Sequence, residues 1–387
     1  MTGEVVSGGV LADDDADDDA GHLTALAGFD LMTVARLRVL LAHHEPAEAF
    51  AVAAGRARPS PAVAHLLAPP VRAAWKASAE RRVPATWADR CRLMGITVVS
   101  ARDPRFPLAL LHDPQPPAVL FARGDLSTLH ARRVGVVGTR NATSGGRQMA
   151  AELGRGLAEA GVAVVSGLAK GVDGAAHRGV LEVSGRRAVA VVGNGPDVPY
   201  PKVNAGLWAD VCARGLLLSE WPPGTAPEPF RFPMRNRIIA ALSEVLVVVE
   251  SRERGGSLIT AQAAIERSVD VMAVPGSVRN RAASGTNQLI RDGAPPVTGV
   301  DDVLVALGLD TRRAGPVAYD PRPLPRGLEA DVLAACRVDP CTLDEIVVGL
   351  DLPIAEAAMA LARLERTGWI REAGGWFEPV VSRSERP

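Results

Sequence analysis

Residues 133–173 read RVGVVGTRNATSGGRQMAAELGRGLAEAGVAVVSGLAKGVD, and the periodicity of this stretch decides the fold around it. Residues 134–137 (VGVV) form a short apolar run of strand type. Residues 138–146 have the Gly/Thr/Asn/Ser composition of a turn. From 146 to 160, Met149, Leu153 and Leu157 then recur at helical spacing. Residues 162–165 (VAVV) are a strand again, followed by a second glycine-punctuated turn at 166–171. Strand, loop, helix, strand is a βαβ unit, whose connection is right-handed. The N–H groups of such a loop, with the positive end of the helix dipole, form an anion site beside the fixed charge of Arg140. The loop lacks G-x-G-x-x-G, so no nicotinamide or flavin cofactor is expected.

The same rhythm continues outward. Residues 188–192, 216–219, 245–249 and 271–274 are strand-like, each followed by a turn. The 245–249 run is nearly pure Val and Leu, as a strand buried on both faces requires. Alternation of strands with helices predicts a Rossmann-like, doubly wound parallel sheet of α/β class over residues 96–310. Strands at 96–100 and 118–121, with rigid Pro turns at 103–107 and 113–117, lead the chain onto its edge. Ser257 is the expected cap of a helix beginning at Leu258.

Upstream, residues 22–95 are rich in Ala, Leu and Arg, and prolines at 46, 59, 61, 69, 70 and 84 divide them into short helices. A helical N-terminal domain follows. Residues 1–21 contain the block Asp13–Asp15 and Asp17–Asp19, a run of like charge that predicts a disordered acidic tail. Downstream, residues 311–327 form a Pro-rich linker. Residues 328–380 then read as three helices and a hairpin: a helix from Leu328, a Thr342/Glu345 capping box, a helix from Pro353, and two short strands around Gly374–Gly375. That is a C-terminal winged-helix domain, with residues 381–387 as a tail.

With 387 residues the chain can build several domains. Only 4% are aromatic, so Ala, Val and Leu must supply the packing. The net charge of −1 conceals a gradient: about even over 1–132, +5 over 133–300 and −5 over 301–387. A polyanion should therefore meet the middle domain. The third helix of a winged helix reads DNA in many proteins, but Glu356 and Glu365 balance Arg363 and Arg366 here, which favours protein contact over duplex binding. Cys91, Cys212, Cys336 and Cys341 form no C-x-x-C and read as free thiols in a reducing cytoplasm. No apolar run reaches membrane-spanning length and the N-terminus is acidic, so neither a signal peptide nor a membrane anchor is expected.

The loops after the strands gather at one sheet edge, where a crevice opens as strand order reverses. Arg140, Lys170, Lys202, Arg235 and Arg237 are thereby collected as candidates around one phosphate-binding cleft.

The motifs VVGTR (136–140), SGLAKGVD (166–173) with AAH (175–177), YPK (200–202), LSE (218–220), FPMRNRIIA (232–240), GSLITA (256–261), VPGS (274–277) and GTNQLI (285–290) resemble the DNA-processing protein A (DprA/Smf) family. The resemblance is strongest over residues 96–304. It implies a Rossmann-like core that binds single-stranded DNA without sequence preference, usually as a homodimer; from the residues themselves, no enzymatic activity is expected. It also implies loading of the RecA recombinase onto that strand, in the cytoplasm, during recombination and uptake of transforming DNA. The family's DNA pocket maps onto Gly138, Thr139, Arg140, Thr143, Ser166, Lys170, Lys202, Phe232, Arg235, Asn236 and Arg237. Four positions depart from the family's usual residues. Lys170 stands for Arg and loses the bidentate fork, Met234 for a basic residue, Gly256 for Ser and Ser268 for Gly. Weaker DNA affinity than usual for the family is expected.

Single-strand binders pair a cationic groove with flat side chains that stack on bases. Phe232 is the leading stacking candidate, with Trp221, Phe230 and Trp208 behind it. The competing class is a nucleoside-monophosphate N-glycosidic hydrolase of related fold, which uses P-G-G-x-G-T-x-x-E. This chain carries Gln262 in place of the carboxylate, and an amide cannot serve as a general base. Asp173 and His177, one helical turn apart, are the remaining acid/base pair, read as a helix-capping Asp and a structural His.

Overall fold

Eight strands form one sheet in the computed structural model, which describes residues 11–185, 187–309 and 322–380. They are β1 (Ile96–Ser100), β2 (Val119–Gly124), β3 (Arg133–Val137), β4 (Ala163–Ser166), β5 (Ala188–Val192), β6 (Leu216–Ser219), β7 (Val245–Val248) and β8 (Asp270–Ala273), in the order β1-β2-β6-β5-β4-β3-β7-β8. From β6 to β8 all neighbours are parallel, with Val134 opposite both Val164 and Val245. At the far edge β2 runs antiparallel to both β1 and β6. Chain order reverses between β3 and β7, the crossover expected of a doubly wound sheet.

Helices α1 (Leu11–Ala27), α2 (Val34–His43), α3 (Pro46–Ala53), α4 (Pro61–Ala64), α5 (Pro69–Arg81) and α6 (Pro84–Leu93) precede the sheet, and α7 (Leu108–Leu111) links β1 to β2. Pro46, Pro61, Pro69 and Pro84 each open a helix, where the missing N–H costs nothing. Leu26, Leu40, Phe50 and Trp75 share one core with Ile96, Val98, Val119 and Phe121. The helical segment therefore does not stand apart as a domain ending at 95; the described residues up to Leu309 form one compact unit. The expected boundary of the acidic tail also moves. Residues 11–21 lie within α1, which Leu23 and Leu26 anchor to this core. Residues 1–10 lie outside the described residues.

Both faces of the sheet are covered. On one, α8 (Ser144–Glu159), α9 (Val172–Leu181) and α10 (Ala205–Arg214) pack Leu153, Leu157, Ala176 and Val211 onto Val134, Val136, Val164 and Ala190. On the other, α11 (Arg231–Leu242) and α12 (Gly256–Ile265) pack Ile238, Ile239 and Ala264 onto Val137, Val165, Val191 and Leu246. The period-2 alternation of strand side chains sends neighbours such as Val136 and Val137 to opposite cores. Helix α13 (Ser284–Arg291) follows β8, and α14 (Val300–Ala306) closes the first face through Val303 and Leu304.

The second unit holds α15 (Leu328–Val338), β9 (Cys341–Thr342), α16 (Leu343–Leu350), α17 (Ile354–Arg366), β10 (Ile370–Ala373) and β11 (Trp376–Pro379). Its strands pair antiparallel in the order β10-β11-β9, a winged helix with a short third strand that the sequence did not announce. The capping box forms as read: Thr342 Oγ1 accepts from the Glu345 N–H at 3.3 Å, and Glu345 accepts from the Thr342 N–H at 2.8 Å. Part of the expected 311–327 linker belongs to this unit. Arg322 lies 4.0 Å over the Trp369 ring, whose Nε1 donates to the Pro323 carbonyl. Residues 310–321 and the 381–387 tail lie outside the described residues. All four cysteines are free.

Candidate nucleic-acid interface

At the C-terminal edge of the sheet, the loop after β3 turns towards α8 on one face while the loop after β7 turns towards α12 on the other. Between them opens a cleft of about 520 Å³ lined by Gly138–Arg140, Tyr200, Phe232, Arg235, Arg252 and Arg254. A narrower cleft of about 240 Å³ continues under Lys170, Gly193 and Asn194, sharing Arg140, Tyr200, Phe232 and Arg235 with the first. Where they meet, the Tyr200 and Phe232 rings stack with centroids 5.6 Å apart and planes 27° from parallel. The Arg140 guanidinium sits 5.0 Å from the Phe232 centroid. Arg140 is exposed, so a flat aromatic surface and a cation stand side by side at the cleft mouth.

The anion site expected at the start of α8 is already filled. Glu250, two residues past β7, is buried, and its carboxylate accepts from Thr143 N–H at 2.9 Å and from Thr143 Oγ1 at 2.6 Å. Thr143 in turn caps α8 by accepting from Gly146 N–H at 3.0 Å. A side chain at Gly146 would strike the Glu250 carboxylate, so glycine here makes room for an internal anion. Thr143 is thus a structural residue, satisfied without any ligand. Ser166 is another: it is fully buried and donates to the Val136 carbonyl at 2.6 Å.

Arg235 and Arg237 part company. Two residues along a helix is a rotation of about 200°, so they leave α11 on opposite sides. Arg235 is 5% exposed and lies under the loop after β4, where it donates to the Val191 carbonyl; a side chain at Gly167 would strike its guanidinium. Burial lowers its pKa to about 10, against the pull of Asp173, so it stays charged at neutral pH. Arg237 turns inward and pairs with Glu220, itself buried, and so is removed from the expected cleft. Burial pushes the Glu220 carboxyl up while Arg237 holds it down. Lys170 is exposed on the narrower cleft, Asn236 lines the wider one, and Lys202 is exposed just beyond Pro201 at the rim.

The acid/base candidates are framework. Burial pushes the Asp173 carboxyl above its ordinary range, opposed by Arg235 and by the N–H groups of Gly167, Ala169 and Gly138 that it accepts from. His177 is fully buried and its Nε2 lies 3.3 Å from the Val189 carbonyl; desolvation lowers its pKa to about 4. Gln262 faces solvent, donating to Glu266 at 3.2 Å. Trp208 is 3% exposed and belongs to the core. Ser268, which the resemblance sets against a glycine, has φ +56°, a conformation that glycine adopts without cost.

Arg252 and Arg254 join the cleft as cations outside the expected set. Both are exposed and line the wider cleft beside Gly255–Ser257, at the start of α12. Ser257 does not cap that helix. Its hydroxyl donates to Ser251 Oγ at 2.9 Å, the helix begins at Gly256, and Gly255 offers no side-chain cap. The signal was legible as two arginines before a glycine pair, directly after the most apolar strand. Among the described residues no cluster of His, Cys, Asp and Glu is arranged to hold a metal, and no helix is long and apolar enough to cross a membrane.

Comparison with known proteins accords with this geometry. The family model for DNA recombination-mediator protein A matches residues 97–308, and that for the DprA winged helix domain matches residues 316–375. The DNA processing protein DprA of Bacillus subtilis is 41% identical over 217 residues, 56% of this chain and 73% of that protein. The X-ray structure of DNA processing protein A from Streptococcus pneumoniae superposes with a TM-score of 0.61 at 32% identity, covering 74% of this chain and 97% of that one. A Helicobacter pylori structure, described as giving insight into the single-stranded DNA binding mode of DNA processing protein A, matches with a TM-score of 0.50 at 28% identity. It covers 56% of this chain and 96% of that one.

Proposed function

The chain belongs to the DNA recombination-mediator protein A family, and on that premise we propose that it binds single-stranded DNA in the switch-point cleft without sequence preference. We further propose that it acts in the cytoplasm as a homodimer that loads RecA recombinase onto that strand, in recombination and uptake of transforming DNA. The observation that carries the binding role is Arg140 over the Phe232–Tyr200 stack, with Lys170, Arg252 and Arg254 exposed around it. Cations take the phosphates and the ring faces take bases, each of which has a π-face whatever its identity. Single-stranded DNA is also the ligand described for the Helicobacter pylori relative.

A binding protein, and no enzyme, is the reading favoured by the polar groups at the base of the cleft. Asp173 is committed to backbone N–H groups, and His177 is sealed in the core. The test is a gel shift of oligo(dT) against duplex over a range of salt, followed by RecA filament assembly on the same strand. Tighter binding of oligo(dT) is expected, with an affinity that falls as salt rises. Arg140→Ala should make that slope shallower by about 0.7, the value of one phosphate contact on a single strand. A preference for duplex, or an unchanged slope in Arg140→Ala, removes the proposed groove. Binding without any effect on RecA assembly removes the loading role alone.

A further inference from the structure

Phe230 is 54% exposed, yet the loop that carries it is braced at several points. Between β6 and α11 the chain reads WPPGTAPEPF (221–230), and its four prolines fix φ at four positions. The loop is tied to the turn after β5: Gly195 N–H donates to the Thr225 carbonyl at 2.9 Å, and Gly224 N–H to Asp197 Oδ1 at 2.7 Å. Trp221 N–H donates to Ser219 Oγ at 2.9 Å. On this frame the Trp221 and Phe230 rings meet edge to face with centroids 6.4 Å apart. The Arg231 guanidinium lies 4.7 Å from the Trp221 ring and 5.2 Å from the Phe230 ring. Phe230 is therefore held in place from behind while its outer surface faces water.

We propose that Phe230, backed by Arg231 and Trp221, is a second base-stacking platform for the strand, outside the cleft. This rests on the single-strand reading above. Its position fits a continuation of the cleft: Pro229 lines the wider cleft, and Phe232, two residues on, is the stacking ring within it. Trp221 follows β6, three strands from the β3 end that carries Arg140, or about 14 Å along the sheet edge. A braced aromatic ring contributes contact area at little cost in side-chain entropy.

The charge of the platform separates it from the cleft. Arg231 pairs with Glu228 at 3.4 Å and donates to the Ala226 carbonyl, so the patch is neutral overall. A nearby carboxylate also turns phosphates away, which leaves the base as the part of the strand that docks. Loss of the ring should therefore weaken binding without changing counterion release.

The experiment compares Phe230→Ala and Phe230→Trp with the wild-type full chain, using oligo(dT) and an abasic oligomer of equal length at several salt concentrations. Urea midpoints confirm that the variants fold. Phe230→Ala should weaken oligo(dT) binding about 5- to 50-fold, leave its salt slope unchanged and leave the abasic oligomer unaffected, while Phe230→Trp restores affinity. Wild-type affinity of Phe230→Ala for oligo(dT) overturns the proposal and leaves Phe230 as a protein contact. An equal loss on both oligomers overturns it too, because the ring would then act through the loop and not on a base. Failure of the wild-type chain to bind either oligomer sinks the single-strand reading and this platform together.

Discussion

Glu250 and Arg254 stand four residues apart on the loop after β7, yet one is sealed beneath the start of α8 and the other is exposed at the cleft mouth. The contrast extends to the whole site. Its supporting floor, of which only Asp173 and Arg235 line the cleft itself, holds Glu250, Asp173, Arg235, His177 and the Arg237–Glu220 pair, each less than a tenth exposed and held by protein partners. Its rim carries Arg140, Lys170, Arg252 and Arg254, all exposed. The floor groups are engaged by backbone and side-chain partners of the surrounding loops and strands, and so fix the shape of the loops. The rim cations have water in front of them and are available to a polyanion. The two helix starts repeat the lesson: α8 is closed by an internal carboxylate, whereas α12 opens onto the cleft with no side-chain cap.

Mutation of the floor should cost stability, and mutation of the rim should change salt dependence. The largest effect is expected from Arg237→Ala. It strands the Glu220 carboxylate in the core at a cost of about 3–5 kcal/mol, read as a lower urea midpoint. Replacing both partners, Arg237→Met with Glu220→Leu, should recover most of that loss. If the double variant is no better than the single, the cost lies in packing and not in the unpaired charge.

Glu250→Ala comes next, at about 2 kcal/mol, because the Thr143 N–H and hydroxyl lose their shared acceptor. It also turns floor into rim. Inorganic phosphate should then raise the Tm of the variant more than that of wild type, and equal shifts would show that the vacated site does not take an anion. The smallest stability change, within about 0.5 kcal/mol, is expected for Arg252→Ala with Arg254→Ala. Their mark should be a salt slope for oligo(dT) shallower by about 1.4, two contacts' worth. A wild-type slope would take both arginines off the path of the strand.

Much of the frame was legible because local chemistry and tertiary structure agreed. The apolar runs became strands, the prolines opened helices, and the Thr342/Glu345 box capped α16. Of the candidate site, the gathering of Arg140, Phe232 and Lys170 around adjoining clefts was legible, because they follow strand ends or open a helix on the sheet edge. It was not legible at Arg237, because a cation two residues from another on a helix can face either the cleft or the core. Only the position of Glu220 settles which. Thr143 misled for a similar reason: its partner lies 107 residues away, and no local pattern shows that the helix start is already occupied.

By itself, then, the chain's order of residues determined the alternation of strands and helices, the winged-helix end, and the edge of the sheet at which charged loops collect. These follow from periodicity, turn chemistry and the rule that parallel strands deliver their loops to one side. Which charges face solvent, and which are spent holding the loops, was decided only by the fold. That choice depends on partners brought together across many residues of chain, and on the direction in which each side chain leaves its helix.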